Sequence, residues 1–442
     1  MEQMIYQLED LILTKQTISP EIKQFMDEVT KKASIDHADW AKVFNVTYAN
    51  TLETTVKRIA DDDIFILTGD IPAMWQRDST CQVRPYLVMA QKIPEVSDFI
   101  RGVVKRQFFN MNHDPYANAF NSEPNNAGHH KDHTEMTPWI WERKFEIDSL
   151  CFPVQLAYLL YKNTGRIDQF DDDFVSAIKK LLQVFETEQH HTTASKYCFQ
   201  RDEDRPEDTL TNNGLGSPVA ETGMIWSGFR PSDDACVYGY LVPANMFAVL
   251  ILDYIQELFN GILNDPEIVA KAEKIQSEVK AGIEKYGTTT NKTGERIYAY
   301  ETDGLGHYLI MDDGNVPNLL STPYLHYTAM DDPTYLNTRK TVLSPENPYY
   351  FKGKYGRGLG SPHTPAHYIW HIALAIQGLT QPNKNKKATL LDNMVATTAG
   401  TNMMHEGFNV DDPSKFTREW FSWANMMYCE LFLDYFDYKI KE

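Results

Sequence analysis

Cysteine is scarce in this chain of 442 residues: five in all, at positions 81, 151, 198, 236 and 429. The number is odd, and no C-x-x-C pair or Cys/His ladder occurs. A disulfide framework and a structural zinc site are therefore not expected, and a reducing, cytoplasmic setting is. Met1 to Pro20 lack a basic stretch followed by an apolar one, so no secretory leader is expected. No apolar run approaches ~20 residues, so no membrane-spanning segment is expected either. Positive charge is in deficit. Lys and Arg number 42 against 61 Asp and Glu, and the net charge of −19 argues against nucleic acid or an anionic membrane as partner. G-x-S-x-G, G-x-x-x-x-G-K-[ST] and a strand followed by G-x-G-x-x-G are all missing, which removes the nucleophile elbow, the P-loop and the dinucleotide fold. No Gly/Ser or Pro linker and no short repeat interrupts the chain, so one domain over residues 1–442 is expected. Nothing in the sequence fixes an oligomeric state.

Apolar residues make up 42% and aromatics 12%, enough for a well-buried core. Eight Trp and 24 Tyr offer flat rings on which the C–H faces of sugars stack, although most such rings fill cores. Apolar positions recur at helical spacing over about 20–33, 37–60, 79–93, 95–111, 147–163, 170–190, 235–260, 266–286, 318–329, 363–380, 385–400 and 415–437. Ser19-Pro20 marks a helix start and Asn163-Thr164-Gly165 a helix end. Strand character is confined to Ile64–Leu67 and to a hairpin of Arg296–Glu301 with His307–Met311. The expectation is an all-α fold of antiparallel hairpins. Residues 112–146, 198–234 and 401–414 are long connections rich in Asn, His, Trp, Asp and Glu, and such loops are usually functional. If the hairpins close into a toroid, these loops gather at one end and build a pocket.

Four segments carry chemistry. Gly223–Cys236 sets Trp226, Phe229, Arg230 and the doublet Asp233-Asp234 between Gly and Pro; Ser232 or Asp233 can also be read as a helix cap. Asp70–Ser79 places Trp75, Arg77 and Asp78 at a loop-to-helix junction. There a guanidinium fork beside a carboxylate suits vicinal sugar hydroxyls, with Asp78 as N-cap and Arg77 solvated the equal alternative. Asn125–Glu142 holds three histidines and three acids in a loop, not at i, i+4 on a helix, so a metal is not expected. Glu135, Trp139 and Trp141 there, with Asp148 beyond, can line a sugar subsite. Thr401–Asn409 supplies Glu406 next to Gly407. His363, His367 and His371 stand at i, i+4, i+8 and are expected to share one helix face at a pocket rim, while Gly356–Gly360 reads as a turn.

Met74–Ser79, Trp226–Ala235 and His405-Glu406 together resemble glycoside hydrolase family 125, and the three motifs occur in family order over almost the whole chain. The resemblance implies an (α/α)6 barrel and exo-hydrolysis of terminal α-1,6-linked mannose, with inversion and with no metal or other cofactor. It assigns Asp233 as general acid and Glu406 as general base; the choice of Asp233 over Asp234 comes from the family pattern. Inversion sets two carboxyl groups about 6.5–9.5 Å apart, one protonating the leaving oxygen and one activating water. On this reading Asp233 stays protonated near neutrality through burial or the charge of Asp234. Trp75, Arg77, Asp78, Glu135, Trp139, Asp148, Trp226, Arg230, Asp312 and His363 are the expected substrate-binding residues, and a mannose-containing oligosaccharide the expected partner. Two rival readings are a sugar epimerase working through the three histidines and a sugar-binding protein in which the acids do no chemistry.

Overall fold

The computed structural model describes residues 16–202 and 205–442; most of the segment read for a leader lies outside them. Among the described residues the main helices are α1 (Pro20–Ala33), α2 (Ala38–Thr54), α3 (Gln76–Val83), α4 (Pro94–His113), α5 (Ile147–Thr164), α6 (Asp172–Gln189), α7 (Val242–Gly261), α8 (Pro266–Tyr286), α9 (Pro333–Val342), α10 (His371–Leu379), α11 (Lys384–Ala396) and α12 (Ser422–Tyr435). From α2 onward the chain alternates between an outer and an inner ring. Inside, α12 packs on α3, α3 on α5, α5 on α7, and α10 on α12; the turn Leu319–Ser321 fills the position beside α10. Outside, α2, α4, α8 and α11 back α12, α5, α7 and α10, while α9 backs the turn. This is an (α/α)6 barrel.

The two rings differ in how their sequences make helices. Outer helices bury one stripe, and all but α2 and α4 carry side-chain caps. Ser19 accepts from the Ile22 amide in α1, which leads the outer ring, Asp171 from Phe174 in α6, and Asp265 from Glu267 and Ile268 in α8. Inner helices are buried all round and have no side-chain cap; α3, α7 and α10 instead grow out of short strands, Met74–Trp75, Tyr240–Leu241 and Tyr368–Trp370. Those strands belong to small antiparallel sheets. One joins Met74–Trp75, Ala119–Phe120 and Ile140–Glu142, and another joins Tyr368–Trp370, Gly407–Asn409 and Asp412–Phe416.

Several sequence expectations need correction. Residues 235–241 are not helical, and α7 begins at Val242. The helix expected over 318–329 is the single turn Leu319–Ser321, and α9, which follows it, was not expected. Arg296–Tyr298 pairs with Thr288–Thr290; the strand facing Tyr308–Leu309 is Glu301–Thr302. Arg357–Leu359 is a strand against Tyr350–Lys352, so Gly356–Gly360 is only partly a turn. By length and composition α7 is apolar enough to cross a membrane, but 83% of its apolar window is buried inside the protein, as a core helix would be.

Candidate active site

The first turns of α3 and α12 and the residue preceding α10 meet the long loops around an open pocket of about 270 Å³. Trp75 lines it from the strand before α3, Arg77 and Asp78 from α3, Asp233 from the loop before α7, and His363 and Trp370 from the segment before α10. Glu406, Arg418 and Trp423 complete the wall. Helix N-termini carry partial positive charge, which suits a pocket walled by carboxylates.

Asp233 stands on a sharp bend. Phe229 and Ala235 form an antiparallel bridge, Arg230 and Asp234 exchange a backbone bond of 2.8 Å, and Asp233 takes a left-handed φ of 67°. No helix follows within reach, so neither Ser232 nor Asp233 is a cap. The bend separates the acidic doublet. Asp233 keeps a quarter of its side chain exposed toward the pocket, whereas Asp234 is fully buried. Asp234 meets Arg205 Nη2 at 3.1 Å, Ser232 Oγ at 3.3 Å and His363 Nδ1 at 3.1 Å.

Arg77 is buried, not solvated, and Trp75 rather than Asp78 occupies the N-cap position. Its Nη1 donates to Glu146 at 2.6 Å and Asp148 at 3.1 Å, and its Nη2 to Asp233 at 3.2 Å. The guanidinium is thus engaged by carboxylates and braces Asp233. Asp78, 4% exposed, has its pKa raised to about 6, chiefly by burial and against the pull of Arg77 and Arg418. Asp78 Oδ1, Trp75 Nε1 and Trp423 Nε1 have no hydrogen-bond partner among the described residues. All three belong to residues that line the cavity, but the atoms themselves are buried from solvent.

His363 is held by Asp234. Burial alone would lower its pKa, but the hydrogen bond and charge of Asp234, with Glu406 and Asp233 adding, push it up to about 9. It is therefore a cation at neutral pH. Glu406 immediately precedes the strand Gly407–Asn409 and is 7% exposed, with Arg418 and His363 as charged neighbours. Arg418 pairs with Asp70 and lies 4.1 Å over the Phe421 ring.

The expected raised pKa of Asp233 is not found. Burial does push it up, but Arg77, a hydrogen bond with Glu146, Lys144 and His363 outweigh burial and hold this carboxyl below the usual range. Glu146 shifts the opposite way, raised by burial first and by Asp233 and Asp148, against Arg77.

Other expected residues stand away from the cavity. Glu135 is exposed at the surface, 3.8 Å from Arg143. Trp139 packs on Phe109 at 5.0 Å and near His113. Trp226 is a core residue, stacked on His191 at 3.6 Å, and glycines 216 and 239 have no Cβ because its ring fills that space. Arg230 donates to buried Glu301 at 2.6 Å. Asp312 closes the turn Leu319–Ser321 by accepting the Leu319 and Leu320 amides at 2.8 and 3.0 Å. Asp148 is fully buried against Arg77. Proximity in a loop did not mean a shared cleft. Nor do the three histidines share a helix face. His367 is exposed in a loop, and His371, at the start of α10, bonds the His405 backbone and Thr397. In the loop 125–142, His133 meets Asp202 at 2.8 Å, and among the described residues no group of three or more His, Cys, Asp or Glu is arranged to hold a metal. Sequence reasoning passed over Asn118, Lys144, Glu146, Asn315, Trp370 and Arg418. The run Glu142-Arg143-Lys144-Phe145-Glu146 ahead of α5 was the available signal for two of them.

A helical toroid that brings two separated acids, indoles and a cationic imidazole to one pocket has the build of an (α/α)6 glycosidase. The sequence signature of the metal-independent α-mannosidases (GH125) matches residues 37–433, and the chain belongs to that family. It is 36% identical, over 95% of its length and 86% of the relative's, to the meiotically up-regulated gene 157 protein of Schizosaccharomyces pombe. A metal-independent α-mannosidase structure from Streptococcus pneumoniae, a non-productive complex with α-1,6-mannobiose, is 53% identical; the match covers 95% of this chain and 99% of that one, with a TM-score of 0.94. A bacterial glucoamylase bound to acarbose shares the fold alone, at 13% identity and a TM-score of 0.59, over 94% of this chain and 58% of that one. The protein is a glycoside hydrolase, an α-mannosidase.

Proposed function

We propose that this α-mannosidase removes single terminal α-1,6-linked mannose units from mannose-containing oligosaccharides with inversion, Asp233 acting as general acid and Glu406 as general base. The observation that carries the reading is the arrival of Asp233 and Glu406, far apart in sequence, on the wall of one pocket of about 270 Å³. That volume is below the roughly 300–1,000 Å³ of sites for drug-sized ligands and suits one sugar ring, hence exo action. The 53% identical structure with α-1,6-mannobiose supports the linkage.

In this scheme Asp233 gives its proton to the glycosidic oxygen as the bond to the anomeric carbon breaks and its electron pair passes to that oxygen. Water attacks the opposite face, and Glu406 takes the water's proton. Asp78, in the cavity wall, accepts from the sugar hydroxyls, and the Trp75 and Trp423 indoles wall the ring. The cationic state of His363 weighs against a histidine-base epimerase.

Proton NMR of the anomeric region during the first minutes of α-1,6-mannobiose hydrolysis should show β-mannose first; α-mannose as first product would overturn inversion and the role of Glu406. Asp233→Asn should slow this reaction by roughly 10²–10⁴ and be partly rescued by a substrate with a very good leaving group. Activity near normal in Asp233→Asn with loss in Asp234→Asn would reverse the assignment within the doublet.

A further inference from the structure

The carboxyl groups of Glu146 and Asp233 share their donors behind the pocket wall: Arg77 donates from Nη1 to Glu146 and from Nη2 to Asp233, and Asn118 Nδ2 lies 3.3 Å from an oxygen of each. Two ionised carboxylates held around the same donors repel, and neither can donate to the other, so keeping one proton eases the pair. The surrounding donors lead to the same count. Asn118 Nδ2 has two N–H groups but lies 2.9 Å from Glu142 Oε2, 3.3 Å from Glu146 Oε1 and 3.3 Å from Asp233 Oδ1. Arg77 Nη1 and Ser149 Oγ, at 2.6 and 2.8 Å, both serve the other oxygen of Glu146. Glu146 Oε1 is left with a share of one amide.

Charge points the same way. The pair faces Arg77 and Asp78 from α3, Glu142 and Lys144 from the segment before α5, Asp148 from α5, and His363 from the segment before α10. Lys144 is divided between Asp208 at 3.0 Å, the Asp233 carbonyl at 2.7 Å and Glu142 at 3.7 Å. Glu142 is balanced by Arg201 at 2.8 Å and Asp78 by Arg418, whereas Arg77 is divided among Glu146, Asp148 and Asp233; a buried pair of like charges that shares its cation is relieved by keeping a proton.

We propose that Glu146 and Asp233 hold one proton between them and act as a single acid, Glu146 being the positioning residue that retains the proton and Asp233 the member that delivers it. Only Asp233 reaches the cavity; Glu146 is 1% exposed. With the pocket open to solvent the proton rests on Glu146, which is 1% exposed, while water solvates the ionised Asp233, a quarter of whose side chain is exposed. A sugar in the pocket strips water from Asp233 and moves the proton's favoured place to the Asp233 oxygen facing the leaving group. Arg77 and Ser149 then neutralise ionised Glu146. On cleavage that O–H bond breaks, its proton joins the glycosidic oxygen, and the pair regains one proton from solvent before the next cycle.

The proposal rests on Asp233 being the general acid. Glu146→Gln keeps the shape but removes the like charge that retains the proton. The alkaline limb of kcat/KM for α-1,6-mannobiose should therefore move down by about one unit or more. At neutral pH the loss on mannobiose should exceed the loss on an aryl mannoside with an activated phenolate leaving group by ~10-fold or more. Glu146→Asp, which restores a carboxyl, should return some of the limb and serves if the Gln variant does not fold. An unmoved limb, or equal losses on both substrates, would make Glu146 merely structural and overturn the proposal. Asp233→Asn run alongside separates the two ideas. If it fails to discriminate the substrates, the acid assignment itself falls; if it discriminates and Glu146→Gln does not, only the shared proton falls.

Discussion

Asp78 and His371 are buried titratable residues whose pKa values shift in opposite directions. Asp78 sits in the cavity wall with its pKa raised to about 6, mainly by burial. As an acceptor of sugar hydroxyls it works as the carboxylate, so KM for mannobiose should rise as pH falls through 6. Asp78→Asn should raise KM roughly 10-fold or more at pH 7 and flatten that dependence; a KM unchanged by the substitution would take Asp78 out of substrate binding. His371 has its pKa lowered to about 3, by burial first and by His405 in the same direction. An unfolded imidazole titrates near ~6.5. Between those values the unfolded chain binds a proton that the folded chain does not, so this group's stability contribution is lost as pH falls from about 6.5 toward 3. His371→Gln should lower the melting temperature at pH 7.5 and flatten its fall between pH 7 and 5. Melting curves that stay parallel to the wild type across that range would clear His371 of acid sensitivity.

Among elements, capped outer helices were readable, as was inner α5, expected over 147–163 and found over Ile147–Thr164, whereas the starts of the later inner helices were not. The expected spans 20–33, 170–190 and 266–286 match α1, α6 and α8 closely, because each has one apolar stripe and a capping Ser or Asp. Runs expected to start at 235, 363 and 415 become helix only at Val242, His371 and Ser422. The residues before them are short strands or loops as apolar as the helices they feed, and periodicity cannot distinguish one buried element from the next. Helix α9 escaped notice because it buries Tyr335, Thr338, Thr341 and Val342, a face with little apolar signal. Site legibility divides similarly. Asp233, Glu406, Trp75 and Asp78 sit in loops or junctions punctuated by Gly and Pro, whereas Asn118 and Glu146 matter only through what the fold sets beside them. Helix packing yields its own expectation. A Cβ on Gly378 of α10 would lie 2.7 Å from Leu431 of α12, where the two helices pack. Gly378→Leu should destabilise by about 1–3 kcal/mol or more, and a urea midpoint equal to the wild type would show that this seam has room.

Across the molecule, α12 closes the ring against both α3 and α2. Thr51 and Ser422 hydroxyls meet at 2.5 Å, Trp420 Nε1 donates to Asn50 at 3.0 Å, and Tyr428 donates to the Trp40 carbonyl at 2.9 Å. We infer one folding unit, and expect tryptophan fluorescence and far-ultraviolet circular dichroism to report the same urea midpoint; separated transitions would divide the chain into independent units. Both proton transfers of the proposed reaction are carried by side chains of this ring. Exhaustive chelation should accordingly leave mannobiose hydrolysis unchanged, and activity lost to chelator but restored by zinc or calcium would contradict that.

The seam between α2 and α12 also has a meaning in time. Asp78 leaves the ribosome more than three hundred residues before Glu406, and the helix that shuts the ring emerges later still. A nascent chain therefore carries half a pocket through most of its synthesis, with no partner for the exposed faces of α2 and α3. The pocket is complete only once α12 has joined α2 and α3, and the stretch of translation before that is when the chain has most to gain from a chaperone.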